Sequence, residues 1–324
     1  MSTATAVFNL IVFPGFIFIV FYSLLCEFVD RKAYARFQNR VGPPLFQPWA
    51  DFWKLLSKED LVPKEADKRM FTAVPILGIA AVVTAFLYIP IWSAKSVYPF
   101  TGDIIVVAYI LTLPVLLLFL AGWHSTNLFG IVGGFRVLTQ LFGYEVPFFL
   151  AILSPALVTG VWGLENIVEY QLHHVWFICW LPLSFIVAIV SLVGKLERIP
   201  FDIPTAEQEI VAGPLVEYSG GRLALMRLMV DVEMVAGAAL ISVLFLGGFD
   251  IPGVHLDGFS ASVVGFVSFV IKTMAIVFIL ACIKALFARL RIEQMVTMCL
   301  KWLAPIAILQ LLIIVGLKFA EVLD

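Results

Sequence analysis

Polar and apolar positions along this chain alternate in long blocks. Eight apolar stretches, at about 7–26, 71–92, 103–122, 141–163, 175–194, 223–247, 260–283 and 302–319, are separated by polar segments. Each is close to the ~20 residues that a helix needs to cross a hydrocarbon core roughly 30 Å thick. Backbone groups cannot stay unpaired in lipid, so only helices or a closed barrel can span it, and a barrel would show short strands of alternating polarity. The pattern therefore predicts an all-α, polytopic membrane protein with about eight transmembrane helices, one membrane domain over residues 1–324. Composition agrees: at 62% hydrophobic and 14% charged the chain is too apolar for a soluble domain. A net charge of −2 offers nucleic acid no basic field. The cysteines, Cys26, Cys179, Cys282 and Cys299, are scattered without CxxC spacing and read as small core residues rather than metal ligands or disulfides. The first apolar run has no basic segment before it and continues into the chain, so no cleavable signal peptide is expected.

Lysine and arginine set the expected orientation. Segment 27–70 holds nine of them, 123–140 one, 195–222 three and 284–301 four, which is 17 of the 21. The other side holds only Lys95 and Lys318, while Arg227 and Lys272 lie inside spans. This places 27–70 and 195–222 in the cytoplasm and both termini outside, in a multi-pass protein of the cell membrane.

Both cytoplasmic loops look structured. In "EFVDRKAYARFQNRVG", Arg31, Lys32, Arg36 and Arg40 recur at helical spacing around Tyr34 and Phe37. "QPWADFWKLLSKEDLVPKEADKRMF" predicts an amphipathic helix with Trp49, Phe52, Trp53, Leu55 and Leu56 on its apolar face, suited either to lipid headgroups or to a soluble partner. In "KLERIPFDIPTAEQEIVAGPLVEYSGG", five acids, Glu197, Asp202, Glu207, Glu209 and Glu217, fall within 21 residues. Thr205 and Gln208 fit a capping box opening a short helix that carries Glu207 and Glu209. Capping explains an acid or two near Thr205 but not Asp202 or Glu217.

Charges also occur within the spans. Counting about 1.5 Å per residue, Glu145 and Arg227 lie roughly 6 Å inside the ends of their spans, Asp231 roughly 12 Å and Glu233 roughly 15 Å, with Lys272 similarly deep from the opposite end. Buried ionisable groups are costly unless paired or wetted, and so mark functional sites. Arg227 and Asp231, four residues apart, share a helix face and read either as a packing ion pair or as part of an ion path. Glu145 and Arg227, at matching depth, are candidate partners. Glu233 points elsewhere, with Lys272 a candidate partner. Three acids against two bases leave one carboxylate over, protonated or part of a relay.

Four stretches resemble one family: the H subunit of respiratory complex I (NADH dehydrogenase subunit 1) and its relatives in membrane-bound hydrogenases. They are "DRKAYARFQNRVGPP", with Asp30 where that family usually has Glu, "QPWADFWKLLSKED", "GGFRVLTQLFGYE", ending on Glu145, and "PFDIPTAEQEIVAGPLVEYSGG". The short "GPPLFQP" connection is similar to energy-converting [NiFe] hydrogenases and ferredoxin-linked sulfur reductases. The resemblance implies a non-catalytic membrane-anchoring and coupling subunit that joins peripheral-arm electron transfer to ion translocation; the alternative is the quinone-site subunit of a complex I-like NAD(P)H or ferredoxin:quinone oxidoreductase. It implies an ion-coupling path through Glu145, Asp202, Glu207, Glu209, Glu217, Arg227, Asp231, Glu233 and Lys272, and a peripheral-arm interface at Asp30, Arg31, Lys32, Arg36, Arg40 and Asp51. Expected partners are hydrogenase- or dehydrogenase-like and Fe–S subunits, antiporter-like membrane subunits and the lipid bilayer. No nucleotide, haem or Fe–S motif is present in the sequence, so Fe–S clusters, and Ni–Fe where the complex is a hydrogenase, are expected in the partners. The adjacent His173 and His174 read as solvated residues on the outer side. A stand-alone transporter would call for inverted repeats with interrupted helices, which the sequence does not show.

Overall fold

A computed structural model describes residues 3–93, 95–251 and 259–320 of the chain. The described residues are helical, with no strand among them. Helices α1 (Thr3–Ile11) and α2 (Phe16–Phe37) make the first pass, interrupted at Pro14, whose nitrogen has no proton to donate. Helix α3 (Gln47–Leu56) packs against α2 and the later helix that forms the centre of the bundle, and α4 (Lys68–Leu87) makes the next pass. The Asp67 carboxylate starts α4 by accepting the Arg69 N–H at 3.0 Å. Helices α5 (Asp103–Ile110) and α6 (Leu113–His124) form the next pass, then α7 (Leu128–Thr159), opened by Asn127 accepting the Phe129 N–H at 2.8 Å. On the far face lie α8 (Leu164–His173) and the single turn α9 (Phe177–Trp180); α10 (Pro182–Lys195) comes back. The acidic loop contains α11 (Glu207–Ile210). Helices α12 (Gly220–Leu246) and α13 (Phe259–Leu286) follow, and α14 (Ile292–Met298) runs through a π-helical turn at Cys299–Leu303 into α15 (Ala304–Phe319).

Seven of these helical stretches are long and apolar enough to cross a membrane, and α10, with 14 residues, is a shorter eighth. At about 1.5 Å per residue α10 spans only roughly 21 Å. The expected span 175–194 is thus two pieces broken at Leu181 and Pro182. The expected span 141–163 is corrected more deeply: its helix begins at Leu128, so "GGFRVLTQ" is helical and Glu145 lies mid-helix, not one turn from an end. Pro147 and Pro155 fall inside α7 without ending it.

Helix α12 is the hub, packed against α2, α3, α4, α10 and α13. Every residue from Val232 to Phe245 is buried, as expected of a helix apolar on nearly every side, with Glu233 a buried charge among them. Its tight neighbours need small residues: a Cβ on Gly237 would come within 2.4 Å of Leu192. Large side chains on the bundle exterior, such as Phe21 and Leu312, are exposed, as lipid-facing positions would be.

Two expectations for the first loop change. The basic stretch is not a separate helix: Arg31, Lys32 and Arg36 lie on the last turns of α2, and Arg40 lies beyond its end. On α3, Trp49 and Phe52 pack against the core, but Trp53 and Leu56 point outward. The cysteine reading holds for Cys26 and Cys299, which are buried, whereas Cys282 is half-buried and Cys179 exposed.

Candidate functional site

Between α2, α12, α13 and the segment after α10 lies a cavity of about 350 Å³ lined by Glu27, Arg31, Glu197, Arg198, Asp202, Arg227, Asp231 and Lys284, among others. Arg198 is its organising residue. Its guanidinium reaches Asp30 at 2.8 Å, Glu27 at 3.0 Å and Asp231 at 3.7 Å. Burial opposes the positive charge, but the Asp30, Glu27 and Asp231 carboxylates hold Arg198 above the usual arginine range. Glu27 also accepts from Arg31 at 2.5 Å, a pair that i,i+4 spacing on α2 places on one face. Arg31 continues to Asp51 at 2.8 Å, where Gln47 donates as well, also at 2.8 Å. Slight burial works against the Asp51 anion, but these two donors keep its carboxyl below the usual range. Lys284 closes the ring from α13, 3.2 Å from Asp30 and 4.8 Å from the centre of the Tyr34 ring.

A second cluster lies further inside the bundle. Lys195, the last residue of α10, stands 3.5 Å from Glu233, with side-chain exposures of 1% and 3%. Tyr144 and Phe148 present their rings to the Lys195 ammonium at 5.9 and 5.8 Å, within cation–π range. Glu145 is half-buried and interacts electrostatically with Lys195. Between the clusters sits Glu197, the chain neighbour of Arg198. Its backbone is left-handed, with φ +51, and its Oε1 is buried without a hydrogen-bond partner among the described residues. Burial pushes the Glu197 carboxyl well up, and the nearby charges of Glu233 and Asp202 push it further.

A raised carboxyl pKa binds protons in the folded protein that the unfolded chain releases, so Glu197 favours folding below the usual glutamate value of about 4.3 and loses that contribution as pH rises. Glu197→Gln should therefore raise the melting temperature of the purified protein at pH 8, with the gain shrinking as pH is lowered. A gain independent of pH would refute this assignment.

The structure corrects three expected pairings. Glu233 pairs with Lys195, not Lys272. Lys272 instead donates to the carbonyls of Leu246, at 2.6 Å, and Asp250, and lies over the Trp176 ring at 4.2 Å. It thus secures the turn after α12. Among the described residues Glu145 and Arg227 form no ion pair; Arg227 lines the cavity with Asp231, whose partner is Arg198. The capping box is also absent. Thr205 donates its hydroxyl to Asp202, and Ala206 precedes α11 with no side-chain cap.

The remaining acids are dispersed. Glu209 is exposed and clasped by Arg136 at 2.5 Å and Arg289 at 3.0 Å, which hold its carboxyl below the usual range. Glu217 accepts from Asn127 at 2.5 Å, and Glu207 is exposed. Of the expected interface residues, Asp30 is buried and faces inward, Arg31 and Asp51 belong to the cavity ring, and Arg36 and Arg40 are exposed, while Lys32 donates to the Pro43 carbonyl at 3.3 Å. The loop around Gly213 is held tightly: at φ +52 a Cβ there would lie 1.9 Å from the Pro204 carbonyl oxygen.

Sequence reasoning missed Glu27, Lys195, Glu197, Arg198 and Lys284 as site residues. Glu27 was detectable from its spacing to Arg31. Lys195 and Lys284 sit where spans end and so read as solvated orientation markers.

The fold and site define a polytopic, all-helical membrane protein enclosing ionic clusters that run from a charged cavity into the bundle. The family model for NADH dehydrogenase matches residues 9–315. The H subunit of NADH-quinone oxidoreductase from Geobacillus sp. (strain WCH70) is 35% identical, over 97% of this chain and 96% of the relative. Its counterpart from Dehalococcoides mccartyi (strain CBDB1) is 33% identical over 91% of this chain and 82% of the relative. A chain in the solved structure of the membrane-bound sulfane sulfur reductase, an archaeal respiratory membrane complex, superposes with a TM-score of 0.84 at 28% identity, over 92% of this chain and 96% of that one. The chain belongs to the NADH dehydrogenase family, alongside these H subunits.

Proposed function

We propose that this chain is the membrane-anchoring and coupling subunit of an energy-converting redox complex of the ferredoxin-linked hydrogenase or sulfur reductase type. The observation that carries the reading is the succession of buried charges from the cavity at Arg198, past Glu197, to Lys195, Glu233 and Glu145. Packing alone would fill such a path with apolar side chains, since buried ion pairs rarely add stability over well-packed hydrophobic residues. Redox chemistry in a docked soluble arm changes charge beside the cavity, and the carboxylates pass that change inward as protonation. Asp202, Arg227 and Asp231 belong to the cavity end of this path; Glu207, Glu209 and Glu217 belong to its outer loop. The similarity to the sulfane sulfur reductase chain favours a sulfur reductase arm, and Fe–S subunits and antiporter-like membrane subunits are the partners proposed with it. The second reading, a quinone-site subunit, is favoured by the 350 Å³ cavity and by the NADH-quinone oxidoreductase relatives. Nickel or a sulfur reductase arm in the purified complex supports the first reading, and a flavin-bearing NADH module supports the second.

In the proposed orientation the face carrying loops 38–67 and 196–219 is cytoplasmic, and the arm docks on Lys32, Arg36 and Arg40. Arg36→Glu with Arg40→Glu should then loosen the arm most at low salt, and the difference from the unchanged complex should shrink as salt is raised, because exposed charges are screened beyond about 10 Å at 0.1 M. Full retention of the arm at low salt, measured by gel filtration, would remove these residues from the interface.

A further inference from the structure

Lys195 has an unusual setting even within this network. Its ammonium is enclosed, yet the separation of 3.5 Å from Glu233 exceeds the roughly 2.7–2.9 Å of a charge-assisted hydrogen bond. Among the described residues neither Lys195 Nζ nor Glu233 Oε1 has a hydrogen-bond partner, and the Tyr144 hydroxyl beside them has none either. The groups facing Lys195 are Tyr144, Glu145 and the ring of Phe148 from α7 and Glu233 from α12, while Glu197 from the loop faces Glu233. A lysine that served only to neutralise Glu233 would close on it, since an unmade hydrogen bond of a buried ion costs stability. Instead the ammonium lies near two aromatic rings, 3.5 Å from Glu233 and within electrostatic range of Glu145, and is hydrogen-bonded to neither carboxylate. Four methylenes give it the reach to change partner.

We propose that Lys195 is the proton-carrying switch of the path, alternating between Glu233 and Glu145. The inference rests on the coupling role proposed above. In the forward step an N–H bond of the ammonium breaks and an O–H bond forms on the Glu145 carboxylate, leaving a neutral amine and a neutral acid. The amine then takes a proton from protonated Glu233, restoring the ammonium and leaving the Glu233 carboxylate. The net result is one proton moved from Glu233 to Glu145, with charge conserved. Glu197, beside Glu233, supplies the next proton from the cavity side.

Arginine separates a switch from a counter-charge, because it keeps the positive charge and the reach but is not deprotonated in proteins. The test uses the intact complex in sealed vesicles, with reduced methyl viologen as donor and whichever of protons, dimethyl trisulfide and decylubiquinone it reduces fastest as acceptor. Proton uptake per electron is read with a pH-sensitive dye. Lys195→Arg should assemble and transfer electrons while its proton-to-electron ratio falls at least tenfold. Where Lys195→Arg does not assemble, the charge-neutral Lys195→Met with Glu233→Gln is measured instead, with the same expected loss. A normal ratio in whichever variant is measured, with Glu145→Gln uncoupled, overturns the switch and leaves the path. Normal ratios in that variant and in Glu145→Gln alike overturn the path itself.

Discussion

Arg198→Met is expected to destabilise the folded subunit by about 3–5 kcal/mol, the usual cost of removing one partner from a buried ionic network. Three carboxylates depend on this guanidinium: Asp30, Glu27 and Asp231 lie 2.8, 3.0 and 3.7 Å from it. Glu27 retains Arg31 and Asp30 retains Lys284, but Asp231 has no other ion-pair partner among the described residues. The intact complex should therefore melt many degrees lower or fail to assemble, and Arg198→Lys, with one point charge where a fork is needed, should recover only part of the loss. Gel filtration and thermal melting of the purified complex check this. An Arg198→Met complex that assembles and melts as the unchanged one does would show that the ring around the cavity is not held together by Arg198.

The second large effect is expected at Glu145, which is not paired with Arg227. Had Glu145 been the partner of Arg227, its removal would have left an uncompensated buried cation and confounded function with folding. It forms no ion pair among the described residues and interacts with Lys195, which retains Glu233. Glu145→Gln keeps the shape and the hydrogen-bonding capacity and removes only the titratable proton. The complex should assemble and melt normally while its coupling fails.

How much of this was legible in the sequence depends on length scale. Apolar blocks of about 20 residues are set by bilayer thickness, so the all-helical membrane fold followed from them. Among the spans, the broken α9–α10 pass and the early start of α7 departed from expectation, and in the first loop the basic stretch proved to be the end of α2. The α7 error came from "GGFRVLTQ", whose glycines and polar residues read as a loop, although Gly133 packs tightly against Gly213 of the acidic loop. Ion-pair partners were less legible. Depth along one helix says which residues lie level, but it does not say how neighbouring helices are rotated or what a loop sends inward. Glu145 and Arg227 matched in depth and still found no contact, whereas Arg198 and Lys195, counted among solvated basic residues, became the centres of the two clusters. Asp30 and Asp51 illustrate the same limit from the other side. They lie on the segment expected to meet a partner, but helix rotation turns both toward Arg31 and Arg198.

On the proposed reading, buried carboxylates in this chain carry the proton movement coupled to electron transfer in the complex. The most direct test of this is proton uptake per electron by sealed vesicles containing the Glu145→Gln complex, verified intact by gel filtration. Electron transfer should persist, slowed where coupling is tight, while the proton-to-electron ratio falls toward zero. An intact Glu145→Gln complex that takes up protons at the unchanged ratio and rate would contradict it.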